Sequence, residues 1–246
     1  MVRSPSLCLG LLVLAACAGP AFKPLDPTAK HAVAGGVAWW YGNDSAAVDV
    51  GAKPLAGLLD KKCAVRKMGA EKSAFFVRVA AHADSAIKSP AFSEMVKART
   101  TWQLTTDSGA QIMERLRWTG VQINVVMYAR DGDHPCRDKE VIDGHTNAFT
   151  PMPDSSDVHL LFLYEPYFLA AMKGNDVREM ARTIVHESLH SMGYSHAGVE
   201  VGSERYNNTV PLYLGCMIEH WGGKANQDWI NINCPRADSA RDKPPS

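Results

Sequence analysis

The pattern of apolar and polar positions predicts short buried strands set between amphipathic helices. Residues 121–128 (VQINVVMY) and 158–164 (VHLLFLY) are strongly apolar and rich in β-branched or aromatic side chains, which is typical of buried strands. Pro166 disfavours continuation of a central strand. The second strand is therefore either an edge strand or one that runs into a helix at 167–172.

Two regions favour helices. Residues 89–118 have helical propensity, with a break expected at 105–109. A later helix is predicted to follow Asp176, because Asp176 and Glu179 have the spacing of a capping box. Four residues share the core-facing side of this later helix: Val177, Ala181, Ile184 and Ser188.

The first residues have the layout of an export signal. Arg3 precedes an apolar run at 7–16 (LCLGLLVLAA), and small residues follow it. Residues 1–17 are predicted as a signal peptide whose end, LAAC, matches the pattern of a bacterial lipobox with Cys17 as the lipidated residue. Ordinary cleavage after Ala18 stays open, so the protein is expected either as a cell-envelope lipoprotein anchored through Cys17 or as a secreted protein.

The remaining chain is predicted to form one domain. Residues 18–30 suit a tether, residues 31–236 a single domain, and residues 237–246 a flexible tail. Lys and Arg together number 26, as do Asp and Glu, so net charge gives no reason to expect a nucleic-acid partner. The oligomeric state does not follow from the sequence.

Cysteine usage agrees with export. Cys63, Cys136, Cys216 and Cys234 follow the signal peptide, and an even number in an exported chain favours disulfides. Sequence does not choose among the possible pairings. The pairs Cys216 with Cys234 and Cys63 with Cys136 are favoured here.

The candidate chemistry lies on the helix after Asp176. His186 and His190 are one helical turn apart, so both imidazoles project from the same side and reach a single ion. Glu187 is offset by about a quarter turn, where its carboxylate reaches a water rather than the ion. Gly193 permits a left-handed turn that brings back His196 as a third nitrogen ligand.

The segment 186–196 (HESLHSMGYSH) resembles the extended zinc signature of the metzincin metallopeptidases, H-E-x-x-H-x-x-G-x-x-H, at all five defining positions. The resemblance implies an α+β fold in which a mixed twisted sheet lies beside a long helix that carries the motif. It also implies one catalytic Zn²⁺ held by His186, His190 and His196. Glu187 would be the general base that hydrolyses a polypeptide substrate.

Further features follow from the resemblance alone. Met217 is the candidate for the methionine that metzincins place in a tight turn beneath the zinc. Two residues later, where several metzincins have a tyrosine, this chain has Glu219, and Tyr206 or Tyr213 are the alternatives for assistance at the oxyanion. The strand at 158–164 occupies the position of the edge strand along which metzincins bind substrate, although an interior strand is an equal alternative.

The function predicted from sequence is therefore a zinc metalloendopeptidase. The alternative is an exported protein of the same fold that binds zinc and a partner without turnover. Hydrolysis of a non-peptide amide also stays open. Glu187 favours the enzyme, because no metal-holding role requires it.

Overall fold

The structure, a computed structural model, describes residues 26, 28–43, 49–50, 53–54, 63–118, 120–130, 148–149, 159–201, 203–223 and 227–234. The predicted signal peptide with Cys17, most of the predicted tether, Cys136 and the tail at 237–246 lie outside these residues. The described strands are β1 (Lys30–Ala34), β2 (Val37–Tyr41), β3 (Asp49–Val50), β4 (Lys53–Pro54), β5 (Cys63–Arg66), β6 (Val121–Arg130), β7 (Ala148–Phe149) and β8 (His159–Tyr164).

The structure describes eight helices. They are α1 (Ala70–Lys88), α2 (Pro90–Ala98), α3 (Gly109–Trp118), α4 (Glu165–Gly174), α5 (Val177–Ser191), α6 (Glu204–Asn207), α7 (Val210–His220) and α8 (Gln227–Asn233). Together with a mixed sheet, they confirm the predicted α+β class.

Strand β6 is the centre of the main sheet, whose order is β1-β2-β6-β8-β7. Strand β8 pairs with it in parallel over residues 123–128. The opposite edge of β6 is shared, because β2 pairs in parallel with residues 121–124 and β5 pairs antiparallel with residues 127–130. Strand β3 pairs with β4 in a separate two-stranded sheet.

The predicted strand at 158–164 is an interior strand of the described sheet. Ala148 and Phe149 of β7 pair antiparallel with Leu163 and Phe162 of β8, so β7 takes the outer position on this side. The edge-strand alternative is therefore wrong for this part of β8. The other expectation for this segment, that the strand runs into a helix, is confirmed, since β8 is followed directly by α4 at Glu165.

The predicted helical region at 89–118 forms two helices, α2 and α3, with the break at 99–108. Pro90 lies in the first turn of α2, where its missing N–H costs no hydrogen bond. At the start of α3, a Cβ on Gly109 would lie 1.9 Å from the carbonyl oxygen of Val96. Glycine therefore allows the two helices to meet closely.

Helix α5 lies between other elements of the core, packing against α1 and α7 and contacting β8. The core-facing side of α1 is formed by Phe75, Phe76, Val79, Ala83 and Ile87, all buried. On α5, Ile184 and Leu189 are fully buried, and Ser188 is nearly so. The core-facing side predicted for this helix is confirmed at Ala181, Ile184 and Ser188, whereas Val177 is half-buried.

A disulfide closes the C-terminal part of the domain. Cys216 on α7 is bonded to Cys234, which directly follows α8, with their Cα atoms 5.6 Å apart. This confirms one favoured pairing and is compatible with an exported protein. The other pairing stays a prediction, because Cys136 lies outside the described residues.

Among the helices that are described, none is both long and apolar enough to cross a bilayer.

Candidate metal centre

Helix α5 begins at the predicted cap. The side chain of Asp176 accepts a hydrogen bond of 3.1 Å from the backbone N–H of Glu179, which satisfies one of the free donors of the first turn. The helix then runs without interruption to Ser191. His186 and His190 therefore lie one turn apart on its last two turns, as the sequence predicted.

The helix ends in a turn that depends on glycine. Gly193 has φ +91°, a conformation that side chains with a Cβ rarely adopt. Its N–H donates to the carbonyl of His190 at 2.9 Å, and the N–H of Tyr194 donates to the carbonyl of Leu189 at 3.1 Å. The chain therefore reverses sharply and brings His196 back toward the helix.

The three histidines converge through their Nε2 atoms. His190 Nε2 lies 3.2 Å from His186 Nε2 and 3.1 Å from His196 Nε2. Ligands about 2.0–2.1 Å from a tetrahedral ion are about 3.3 Å apart, so this spacing matches one shared ion. Among the described residues, these three form the group that could hold a metal ion.

A backbone contact fixes the direction of the His190 ring. His190 Nδ1 lies 2.8 Å from the carbonyl oxygen of Tyr194. Because a carbonyl only accepts, Nδ1 carries the proton and Nε2 presents its lone pair to the other histidines. The unprotonated Nε2 of His190 faces two other ring nitrogens, and one cation between the three would accept their lone pairs, so the donor set fits a metal.

The electrostatic setting keeps the rings neutral. Burial lowers the pKa of His186 well below its ordinary value, and the neighbouring histidines and Arg182 lower it further. Burial also lowers the pKa of His190 and, with the effect of His190, lowers the pKa of His196 to about 4. Neutral imidazole is the form that binds metals, so the site is ready for an ion at neutral pH.

Glu187 directly follows His186 on α5 and is half-buried. The helical geometry offsets it by about a quarter turn from the histidine face, beside the ion position rather than at it. The role of Glu187 as a base stays a prediction.

Met217 does not lie in a tight turn, and the prediction of a turn there is wrong. Residues 210–220 form α7, which begins with Pro211 in its first turn, and Met217 is fully buried inside this helix. Gly215 is the α7 residue opposite the metal site, because a Cβ there would lie 3.8 Å from the Cβ of His186. Met217 therefore acts as a core residue beneath α5.

The two tyrosines named as alternatives are in different environments. The Tyr206 ring packs edge-on against His196, with ring centroids 5.0 Å apart. Tyr213 is buried, with the Arg99 guanidinium 3.9 Å from its ring centroid. Glu219 accepts a hydrogen bond of 2.9 Å from Arg182. Of these residues, Tyr206 is the one that contacts a candidate ligand.

Sequence reasoning missed the segment 99–108, which it treated only as a break between helices. Gln103 donates its N–H to the carbonyl of Asn208 at 3.1 Å, and its side chain accepts from Arg205. Asp107 accepts from the hydroxyl of Tyr194 at 2.8 Å. These contacts hold the chain on either side of His196, and no spacing pattern in the sequence signals them.

Comparison with models of protein families, with curated proteins and with solved structures finds no match. The assignment of a possible metal site therefore depends on the residues of this chain and their geometry.

Proposed function

We propose that the protein is a zinc-dependent endopeptidase of the metzincin type. The observation that carries this proposal is the convergence of His186, His190 and His196 on one point, beside a helix position occupied by Glu187. Three protein ligands leave one position of a tetrahedral ion open, as catalytic zinc sites require.

Zinc is the metal that the donor set favours. The candidate ligands are three neutral imidazole nitrogens, which suit Zn²⁺ in tetrahedral geometry. Calcium and magnesium prefer oxygen ligands and higher coordination numbers, and neither suits this site. The backbone bond to His190 Nδ1 supports the same assignment, since metal-binding histidines commonly donate their second N–H to a carbonyl.

The chemistry assigned to the chain is hydrolysis by water. When bound, zinc supplies Lewis-acid activation of the water and polarisation of the scissile carbonyl. Glu187 takes the proton from the attacking water and delivers it to the leaving amine. Tyr206, whose ring contacts His196, is the proposed donor to the oxygen of the substrate carbonyl as negative charge develops there.

The proposed substrate is an extended polypeptide. In the described sheet, β8 is an interior strand and β7 is the outer strand beside it. An edge strand offers unpaired main-chain groups, so a peptide would add beside β7 through main-chain hydrogen bonds. The export predicted from the sequence would place the substrate outside the cytoplasm, with lipidated Cys17 as the proposed membrane anchor.

A paired measurement tests the proposal. The purified chain is analysed for metal and assayed on casein and a broad peptide library, with His186→Ala and Glu187→Gln as matched variants. We expect one zinc in the wild type and in Glu187→Gln, loss of zinc in His186→Ala, and hydrolysis by the wild type alone.

Three outcomes would overturn it. A wild type that binds one zinc but is as inert as Glu187→Gln points to a non-catalytic zinc-binding module. A wild type without stoichiometric zinc rejects both the enzyme and the binding module. Activity restricted to small acyl amides would replace the peptidase by an amidase.

A further inference from the structure

Tyr194 connects the start of α3 to the candidate metal site. Its hydroxyl donates a hydrogen bond of 2.8 Å to Asp107 Oδ2. At the other end of the same residue, the carbonyl oxygen accepts from His190 Nδ1 at 2.8 Å. Tyr194 is therefore held by its side chain while its backbone orients a candidate ligand.

Asp107 is itself held in place. Arg115 Nε lies 3.2 Å from Asp107 Oδ2, and the Arg115 guanidinium lies over the Tyr194 ring at 5.5 Å from its centroid. The backbone N–H of Asp107 also donates to Thr105 Oγ1 at 3.1 Å. The carboxylate is largely shielded from solvent, and a charged acceptor in such a setting makes a stronger hydrogen bond than a neutral one.

The position of Tyr194 matters because it lies within the turn between two ligands. His190 ends the helical part of the site, and His196 follows Tyr194 by two residues without regular secondary structure. The ring of Tyr194 is buried, with 5% of its surface exposed. A shift of this residue would move the carbonyl that orients His190 and would also redirect the chain that carries His196.

We propose that Asp107 is a positioning residue of the metal site, which acts through Tyr194 to orient His190 and to place His196. The inference rests on the proposed binding of zinc by the three histidines. Arg115 contributes by fixing the carboxylate. Outer contacts of this kind typically change metal affinity by about 10–100-fold when they are removed.

Four variants of the full chain test the inference. Asp107→Ala removes the acceptor, Tyr194→Phe removes the hydroxyl but keeps the ring and the carbonyl, and the double variant removes both. Asp107→Asn keeps an oxygen acceptor for the hydroxyl. Glu114→Gln is the matched control, because Glu114 lines the same surface cavity as Asp107 and Arg115 but lies outside the contacts described above.

Two readouts are independent of catalysis. The dissociation constant for Zn²⁺ is measured by competition with a chromophoric chelator, and the visible absorption of the Co²⁺-loaded chain reports ligand geometry. We expect Asp107→Ala and Tyr194→Phe each to weaken Zn²⁺ binding by about 10-fold and to alter the Co²⁺ spectrum. The double variant should match the single variants, because both remove the same hydrogen bond.

The rescue and the control complete the test. Asp107→Asn should bind Zn²⁺ more tightly than Asp107→Ala, and Glu114→Gln should match the wild type in both readouts. If Asp107→Ala does not fold, Tyr194→Phe and Asp107→Asn still decide the question.

Wild-type Zn²⁺ affinity and an unchanged Co²⁺ spectrum in Tyr194→Phe would overturn the inference, as would additive losses in the double variant. Neither result would contradict the proposed zinc-dependent peptidase as long as His186→Ala abolishes zinc binding. Conversely, a wild type that binds zinc without hydrolysing peptides would reject the peptidase and leave the role of Asp107 standing.

Discussion

The indole N–H of Trp39 donates a hydrogen bond of 2.8 Å to Ser188 Oγ, which ties strand β2 to the helix that carries the candidate ligands. The Ser188 hydroxyl in turn donates to the carbonyl of Ile184 at 2.5 Å. Both side chains are buried, so the indole N–H of Trp39 depends on Ser188 for this hydrogen bond. The sheet and helix α5 are therefore joined at a position between His186 and His190.

This contact predicts the effect of Ser188→Ala. The substitution leaves the buried indole N–H without its partner, and we expect a loss of about 1–3 kcal/mol in the free energy of unfolding. Urea unfolding of the disulfide-intact chain measures it. Ser85→Ala, at an exposed position on α1, is the control and should change stability by less than about 0.5 kcal/mol. Equal stabilities for the two variants would contradict a structural role for the Trp39 contact.

Gly193→Ala should damage both stability and metal binding. At φ +91° an added Cβ strains the backbone, although it would meet no heavy atom within 4 Å. We expect about 1–3 kcal/mol of destabilisation and weaker Zn²⁺ binding, because relief of the strain moves the turn that returns His196. Thermal unfolding and chelator competition measure the two effects.

Gly174→Ala provides the matched control for that substitution. Gly174 also has open space around an added Cβ, but it lies in the last turn of α4 without a positive φ. Alanine there should leave stability unchanged or raise it by about 0.5–1 kcal/mol. If both alanine variants behave alike, the conformation of Gly193 is not what the site requires.

The parts of the site that were predicted from sequence are those set by local geometry. The spacing of His186 and His190 on a helix follows from helical periodicity, and the reversal at Gly193 follows from the conformational freedom of glycine. Neither depends on where the rest of the chain lies. The convergence of the three candidate ligands was therefore predicted from eleven consecutive residues, 186–196.

The features that were missed depend on contacts between distant segments. Met217 was assigned to a turn by resemblance, but the local sequence, with Pro211 in the first turn, forms a helix that packs under α5. The outer position of β7 depends on its pairing with β8, which a pattern of apolar residues does not specify. The contact of Asp107 with Tyr194 joins residues 87 positions apart, and no periodicity connects them.

Glu179 should make stability depend on pH. Burial raises its pKa, and the nearby carboxylates of Asp176 and Glu219 raise it further, against the effect of a hydrogen bond with Tyr167. Because the folded pKa lies above the unfolded one, the favourable contribution is complete below the unfolded pKa and is lost as pH rises through the folded pKa. Above that range the ionised side chain destabilises the fold.

We therefore expect Glu179→Gln to gain stability relative to the wild type as pH rises from about 4 to about 8, since glutamine does not ionise. Urea midpoints across this range measure the difference. The same substitution at Glu94, exposed on α2, is run in parallel to correct for general effects of pH. A difference between wild type and Glu179→Gln that shrinks with rising pH would contradict the direction of the shift.

Substitutions of Tyr206 should distinguish an effect on metal binding from an effect on turnover. Tyr206→Phe keeps the ring that packs edge-on against His196, so we expect unchanged Zn²⁺ affinity. Loss of the hydroxyl should lower kcat by about 100-fold or more if it donates to the developing oxyanion. Steady-state kinetics on a peptide substrate, together with zinc titration, measure the two quantities.

Tyr213→Phe is the control for this role, because the ring of Tyr213 packs edge-on against Trp102 and under the Arg99 guanidinium. Its kcat should equal that of the wild type. Tyr206→Ala should weaken Zn²⁺ binding as well, since it removes the packing against His196. If Tyr206→Phe retains full kcat while Tyr206→Ala loses zinc, the ring supports the metal site and another group assists the transition state.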